Sequence, residues 1–152
     1  MIGKITAVSL RIMAYTVRKR YEREARAKMQ KAVNEFLESN RTLQNETLEE
    51  ILAEAGPAAQ AGQNAINYRV MRDKFKDASS NNLRLHYNYA EQEDEKLYEQ
   101  AINKFGKRTS KKLKRKGFQV EYKYDRTRCD CRRDDMCPHS NGRYYLEFEV
   151  RW

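Results

Sequence analysis

Two runs of strict alternation near the C-terminus constrain this chain more than any other feature. In the first, Phe118, Val120, Tyr122 and Tyr124 alternate with Gln119, Glu121 and Lys123; in the second, Tyr144, Leu146, Phe148, Val150 and Trp152 alternate with Tyr145, Glu147, Glu149 and Arg151. A period of two is the pleat of a strand with one apolar face. Two such runs in succession predict an antiparallel pair whose apolar face must be covered by another layer. A shorter run, Leu83, Leu85, Tyr87 and Tyr89 against Arg84, His86 and Asn88, predicts a third strand. Between them, 91–104 reads as a helix, with Glu91, Glu93, Asp94 and Glu95 at the end the helix dipole favours for acids and Leu97, Ala101, Ile102 and Phe105 facing inward. Gly106 is expected to break it, and Thr109 or Ser110 to restart a short helix that Gly117 stops. Residues 79–152 therefore predict a β-α-β-β unit, a mainly antiparallel sheet with helices on one face.

Upstream the period is helical. Thr6 is a suitable N-cap, and from there to about residue 39 Val8, Ile12, Tyr15, Ala25, Met29, Ala32, Val33 and Phe36 recur at steps suited to a helix face. Leu10, Met13 and Val17 add a second apolar stripe, so the start of this helix is expected to be buried on two sides or covered by a partner. A short helix is predicted over 47–55, a loop over 56–62 where Gly56 and Pro57 occur, and a third helix over about 64–76 presenting Ile66, Val70 and Phe75. The fold class is α+β: a helical region, 1–78, followed by the β-α-β-β unit, 79–152, as two parts or as one integrated domain.

At 152 residues the chain can bury a core without staples. Its 39% hydrophobic and 35% charged residues leave room for that core only if the apolar side chains are well segregated by face, while 10 Tyr and 5 Phe argue against disorder. No apolar run reaches membrane-spanning length, and the first apolar stretch is interrupted by Arg11 and followed by Arg18, Lys19 and Arg20 rather than by a cleavage site. A cytoplasmic location with no membrane partner is expected. The net charge of +9 is uneven: residues 1–103 hold 16 Lys and Arg against 15 Asp and Glu, whereas 104–152 hold 15 against 7. That asymmetry points to an acidic partner at the C-terminal end.

Two constellations lie in that end. Cys129, Cys131, Cys137 and His139 offer three thiolates and an imidazole, a set that suits a closed tetrahedral zinc site of structural kind. They fall in a hairpin loop of about 18 residues, a length that is uncommon unless something organises it; reduced free thiols and a Cys129–Cys137 disulfide are the alternatives. The run 104–116 holds Lys104, Lys107, Arg108, Lys111, Lys112, Lys114, Arg115 and Lys116 and no acid. On a helix Lys107, Lys111, Lys114 and Arg115 share one face and Arg108 and Lys112 a neighbouring one, and Arg126, Arg128, Arg132 and Arg133 extend the charge into the loop. This is a phosphate-binding footprint, set against an acidic host protein surface as the alternative partner and against the plainer reading of a solvated, solubilising surface.

Tyr87, Tyr89, Tyr122, Tyr124, Tyr144 and Tyr145 suggest a base-stacking platform, but five of the six share strand faces with Leu85, Val120, Leu146 and Phe148, so packing is the expected role and Tyr145 the one placed outward. No P-loop, HExxH or GxSxG pattern is present, and neither His86 nor His139 neighbours a nucleophile, so no enzyme is expected; a nuclease built on Asp134, Asp135 and His139 is the minor alternative.

Ile5-Thr6-Ala7 opening a helix, a later Leu113 leading into Gly117-Phe118-Gln119-Val120, and a closing Trp152 resemble a group of small bacteriophage-encoded proteins that end in a G-aromatic-x-V … W hairpin. The resemblance spans about the first fifteen residues and 83–152. It implies a phage or mobile-element origin and a role in the host cytoplasm during infection, and it brings no catalytic residues. The function expected is a non-enzymatic accessory protein that binds nucleic acid. The alternatives are a module that inhibits or redirects a host or defence protein, through Ile5, Val8, Leu10, Ile12, Met13 and Val17 of the N-terminal helix or through the hairpin, and a virion component held in an assembly by that long helix.

Overall fold

The structure, a computed structural model, describes residues 5–76, 90–126 and 144–152. Helix α1 spans Ala7–Ser39, α2 Arg41–Gln60 and α3 Ala90–Arg115; strands β1 (Ala65–Met71), β2 (Gln119–Arg126) and β3 (Tyr144–Arg151) form one antiparallel sheet in the order β1-β3-β2. The chain divides into two compact units, Met1–Ala32 and Val33–Trp152. It is an α+β protein, rich in helix.

The first unit is helical. Thr6 caps it: its hydroxyl accepts from the Ser9 N–H at 3.1 Å while the Ser9 hydroxyl accepts from the Thr6 N–H at 3.0 Å, a reciprocal cap that satisfies two orphan donors. Its apolar side chains are not buried. Val8, Leu10, Ile12, Met13, Tyr15 and Val17 are all more than half exposed, which overturns the expectation that the chain itself buries this stretch on two sides.

In the second unit the strand β3, last in sequence, is central, and its inward side chains Leu146, Phe148 and Val150 are fully buried. Val70 of β1 and Val120 of β2 join them from the flanking strands, and Val150 pairs with Val120. The helices pack on this face: Ile51 from α2, Leu97, Ala101, Ile102, Phe105 and Leu113 from α3, and Phe36 from the last turns of α1. Phe75 links the layers, stacked on Phe36 at 5.7 Å and edge-on to Phe105 at 5.0 Å. The other sheet face is polar, with Glu147 bridging Arg69 (3.5 Å) and Lys123 (3.6 Å) across the strands. Beside it Glu149 accepts from Arg151 Nε at 2.8 Å, a hydrogen bond that raises the guanidinium pKa above its usual value.

Three expectations are corrected. Residues 64–76 are not a helix: Ala65–Met71 is strand β1, followed by a 3-10 turn at Arg72–Lys74. The steps Ile66, Val70 and Phe75 suited a helix, but Ile66, Tyr68 and Val70 also alternate, and pairing with β3 selects the extended form. Among the described residues the sheet's third strand is thus β1, from the segment expected to be helical; the first strand of the expected β-α-β-β unit, over 83–89, lies outside the described residues. Nor is 56–62 a loop. Helix α2 runs through Gly56 and Pro57, which fall in its last two turns, where the acceptor that Pro57 leaves free belongs to the exposed Ala53 and is open to water. The chain turns instead at Gly62, whose φ of 81° ends the helix in a Schellman motif, with Gln63 N–H on Ala58 O at 2.9 Å and Gly62 N–H on Ala59 O at 3.0 Å. Gly117, at φ 94°, ends α3 in the same way, as expected.

The third correction concerns Gly106, which does not break α3. It is where the helix approaches the sheet: a Cβ there would lie 2.7 Å from the Tyr122 ring. Alanine helps a helix by about 1 kcal/mol over glycine, but overpacking costs about 1–3 kcal/mol. Gly106→Ala is therefore expected to lower unfolding free energy by about 1 kcal/mol, while Gly56→Ala, with nothing within 4 Å of the new methyl, raises it by about 0.5–1 kcal/mol. Denaturant unfolding of the two variants side by side checks both signs.

Candidate functional site

The basic run lies on one continuous helix. From residue 104 onward α3 turns Phe105, Gly106, Thr109, Ser110 and Leu113 inward, and Lys107, Arg108, Lys111, Lys112, Lys114 and Arg115 outward, all six exposed; Lys104 is half-buried and Lys116 follows the helix end. Because Gly106 leaves the helix unbroken, Lys104 to Arg115 form a single stripe roughly 17 Å long at 1.5 Å per residue.

Part of that stripe faces a second element. Arg108, Lys111, Lys112 and Arg115 line a surface groove of about 380 Å³ with Leu37, Glu38, Arg41 and Gln44. Lys107 and Lys114 do not line it; they occupy the far edge of the stripe. The groove is set by buried polar contacts. Gln44, 8% exposed, reaches Thr109 at 3.5 Å, and the Thr109 hydroxyl donates back to Phe105 O at 2.9 Å. Asn40, fully buried between α1 and α2, donates from Nδ2 to Phe36 O (2.9 Å) and Lys76 O (3.1 Å) and accepts the Lys76 N–H on Oδ1 (2.7 Å). The next residue, Arg41, opens α2, so the positive end of that helix dipole adds to the cations.

Among the described residues, five cations thus meet one acid. Glu38 pairs with Arg41 at 3.5 Å, but both side chains are about three-quarters exposed, and such a pair holds its partner weakly. Among the described residues, Lys107, Arg108, Lys111, Lys112, Lys114 and Arg115 make no ion pair. Like charges four apart, as in Lys107/Lys111, Arg108/Lys112 and Lys111/Arg115, each cost a helix about 0.2–0.5 kcal/mol. Lys112, Lys114 and Arg115 recover part of this in the last turn, where the dipole favours cations. A merely solubilising surface does not need unpaired like charges gathered against a second helix.

Arg41 is the member that sequence reasoning missed. It stands alone in 38–54 among Glu38, Glu46, Glu49, Glu50 and Glu54, and no local pattern marks it. The expected residues Arg128, Arg132 and Arg133, and the metal set Cys129, Cys131, Cys137 and His139, lie outside the described residues, as do Tyr87 and Tyr89; of Arg126 only its place at the end of β2 is described. Among the described residues no cluster of three or more His, Cys, Asp or Glu gathers as a metal site, and no helix is long and apolar enough to cross a membrane.

The strand tyrosines pack. Tyr124 stacks on Tyr144 at 5.6 Å, and Tyr122 lies 6.4 Å from Phe148 and against Gly106. Tyr145, expected to point outward, is 6% exposed and covered by the Arg69 guanidinium 4.4 Å above its ring, so it is closed to a stacking base. No protein-family model matches the chain, and neither a curated protein nor a solved structure matches it.

Asn40 makes the groove dependent on one side chain. Asn40→Ala removes a buried amide and the partner of the part-buried Lys76 N–H, and is expected to cost about 1–3 kcal/mol. The drop is read in denaturant unfolding, against an Arg41→Ala control that changes stability by about 0.5 kcal/mol or less.

Proposed function

We propose that the protein is a non-enzymatic accessory factor, of phage type as its terminal motifs suggest, that binds nucleic acid through the basic face of α3 and the groove that face shares with Arg41. The observation that supports this reading most is the convergence of Arg41 with Arg108, Lys111, Lys112 and Arg115 on one groove, where among the described residues the exposed Glu38 is the one acid. The chemistry is phosphate neutralisation with counterion release. The stripe's length matches about five nucleotides of one strand at 3.4 Å each, and with Tyr122, Tyr124, Tyr144 and Tyr145 engaged in packing contacts the reading takes the backbone rather than the bases as the feature recognised.

Arg41→Glu gives the sharpest test, because Arg41 is about three-quarters exposed and its weak pair with Glu38 is all that the change gives up; unchanged circular dichroism checks that the fold persists. Binding of short duplex DNA, single-stranded DNA and RNA is measured by fluorescence anisotropy across a salt titration. The expected result is a steep inverse dependence on salt, with a logarithmic slope reduced by about 1 for Arg41→Glu and by about 3 for Lys111→Glu, Lys112→Glu and Arg115→Glu together. No binding to any of the three at low salt, by protein that melts normally, discards the reading.

The zinc site is proposed from sequence alone. Cys129, Cys131, Cys137 and His139 would close a tetrahedral site in 127–143, the connection between the paired ends Arg126 and Tyr144. The expected result is one zinc per chain by elemental analysis, lost in Cys137→Ser.

A second reading rests on the exposed apolar residues of the first unit, Ile5, Val8, Leu10, Ile12, Met13 and Val17. Such a surface suits a protein-interaction module directed at a host or defence protein, or a virion component. It would be sensitive to apolar-to-polar changes at these positions and indifferent to charge reversal in the groove.

A further inference from the structure

Eight large apolar side chains in the first unit, Ile5, Val8, Leu10, Ile12, Met13, Tyr15, Val17 and Tyr21, are between 52% and 70% exposed. At 100° per residue the helical ones fall into two stripes. Val8, Ile12 and Tyr15 form one, at steps of four and three. Leu10, Met13, Val17 and Tyr21 form the other, at three, four and four, on the opposite side of the helix. Ser9 and Thr16 separate the stripes along one flank, Arg11 and Arg18 along the other. A lipid surface could take only one of two opposite stripes and would leave the second in water. Helices on both sides cover both.

The charge of the same unit restricts which helices those are. Residues 1–32 hold nine Lys and Arg against two Glu, and seven of the cations fall within 18–31. Two copies packed parallel would set these stretches side by side at about 8–10 Å, within a Debye length of about 8 Å or little more. Packed antiparallel about either stripe, the two basic stretches run away from each other, overlapping the contact only over 18–21 in the stripe that ends at Tyr21. Their midpoints are then roughly 30 Å apart at 1.5 Å per residue, where salt screens them. Both stripes read nearly the same in reverse, as a two-fold contact between identical surfaces demands. About the midpoint of 11 and 12, Val8 meets Tyr15 and the two Ile12 lie side by side; about 15, Met13 meets Val17 and Leu10 falls within one position of Tyr21.

We propose that the first unit is a self-association element: each of its two stripes takes the same stripe of a second copy, antiparallel, so that assembly continues past the dimer. Together the eight side chains present on the order of 1,000 Å² of apolar surface, so each stripe supplies somewhat more than half of the roughly 800 Å² per partner of a standard interface. Association is accordingly concentration-dependent. It strengthens with salt as the basic stretches are screened, opposite in sign to phosphate binding.

The test is sedimentation of the nuclease-treated full-length protein at high salt, from low to high micromolar concentration. The mass is expected to rise beyond two chains of 18.1 kDa. Ile12→Glu, or Met13→Glu with Val17→Glu, should halt it at two, and all three together should hold it at one. The substituted positions are exposed, and unchanged circular dichroism confirms that the helix persists. A photo-cross-linking residue at Val8 should capture the stretch around Tyr15 of another copy. A wild-type mass of one chain throughout overturns the proposal, as does a mass unchanged by the three substitutions. A wild-type mass that stops at two chains overturns the use of both stripes, and capture of residues around Val8 of the other copy overturns the antiparallel arrangement.

Discussion

The second unit depends on the three hydrogen bonds of the Asn40 side chain. Asn40 sits where α1 gives way to α2, with no exposed surface, and holds both backbone groups of Lys76, thirty-six positions further on. A buried amide must satisfy its donors and acceptor or cost the fold several kcal/mol, so this contact allows one angle between the helices and one path for the chain leaving β1. Phe36 and Phe75 then stack just beside it. The junction is polar at its centre and aromatic around it, and that combination specifies an arrangement that apolar packing alone would leave loose.

The same constraint produces the candidate site. Arg41 follows Asn40 directly, so the residue that ties the helices together also delivers a cation to the mouth of the groove. From the other side α3 brings four cations, and it can do so because Gly106 lets the Tyr122 ring lie against its backbone without interrupting the helix. The sheet's polar face neutralises itself, with Glu147 held between Arg69 and Lys123, whereas the outward face of α3 has no such partners among the described residues. Positive potential is thereby gathered on the helical layer of the unit.

The first unit follows different physics. Its apolar residues are exposed rather than buried, and its cations gather in 18–31, with Lys19 paired to Glu22 and Arg20 to Glu24. Basic surface in the second unit and apolar surface in the first suit distinct contacts, one weakened by salt and one not. A protein that holds nucleic acid with one unit and its own copies with the other would coat its ligand rather than visit it.

Local signals were legible wherever a short stretch decides its own conformation. The Thr6 cap, the helix end at Ser39, the αL stop at Gly117 and the alternation of the last two strands follow from side-chain oxygens, a missing Cβ and a period of two. The continuous basic stripe was legible in composition. Sequence reasoning failed where a distant partner decides. Ile66, Tyr68 and Val70 become a strand because β3 pairs with them, and Gly106 is a close approach because Tyr122 lies opposite it. Arg41 becomes part of a cationic groove only because a buried asparagine turns α2 toward α3. The sequence by itself determined the elements with strong local periods and the sign of the charge on α3. Only the tertiary structure decided which residues oppose that charge across the groove, since contacts between positions sixty-five apart, as between Gln44 and Thr109, leave no trace in local spacing.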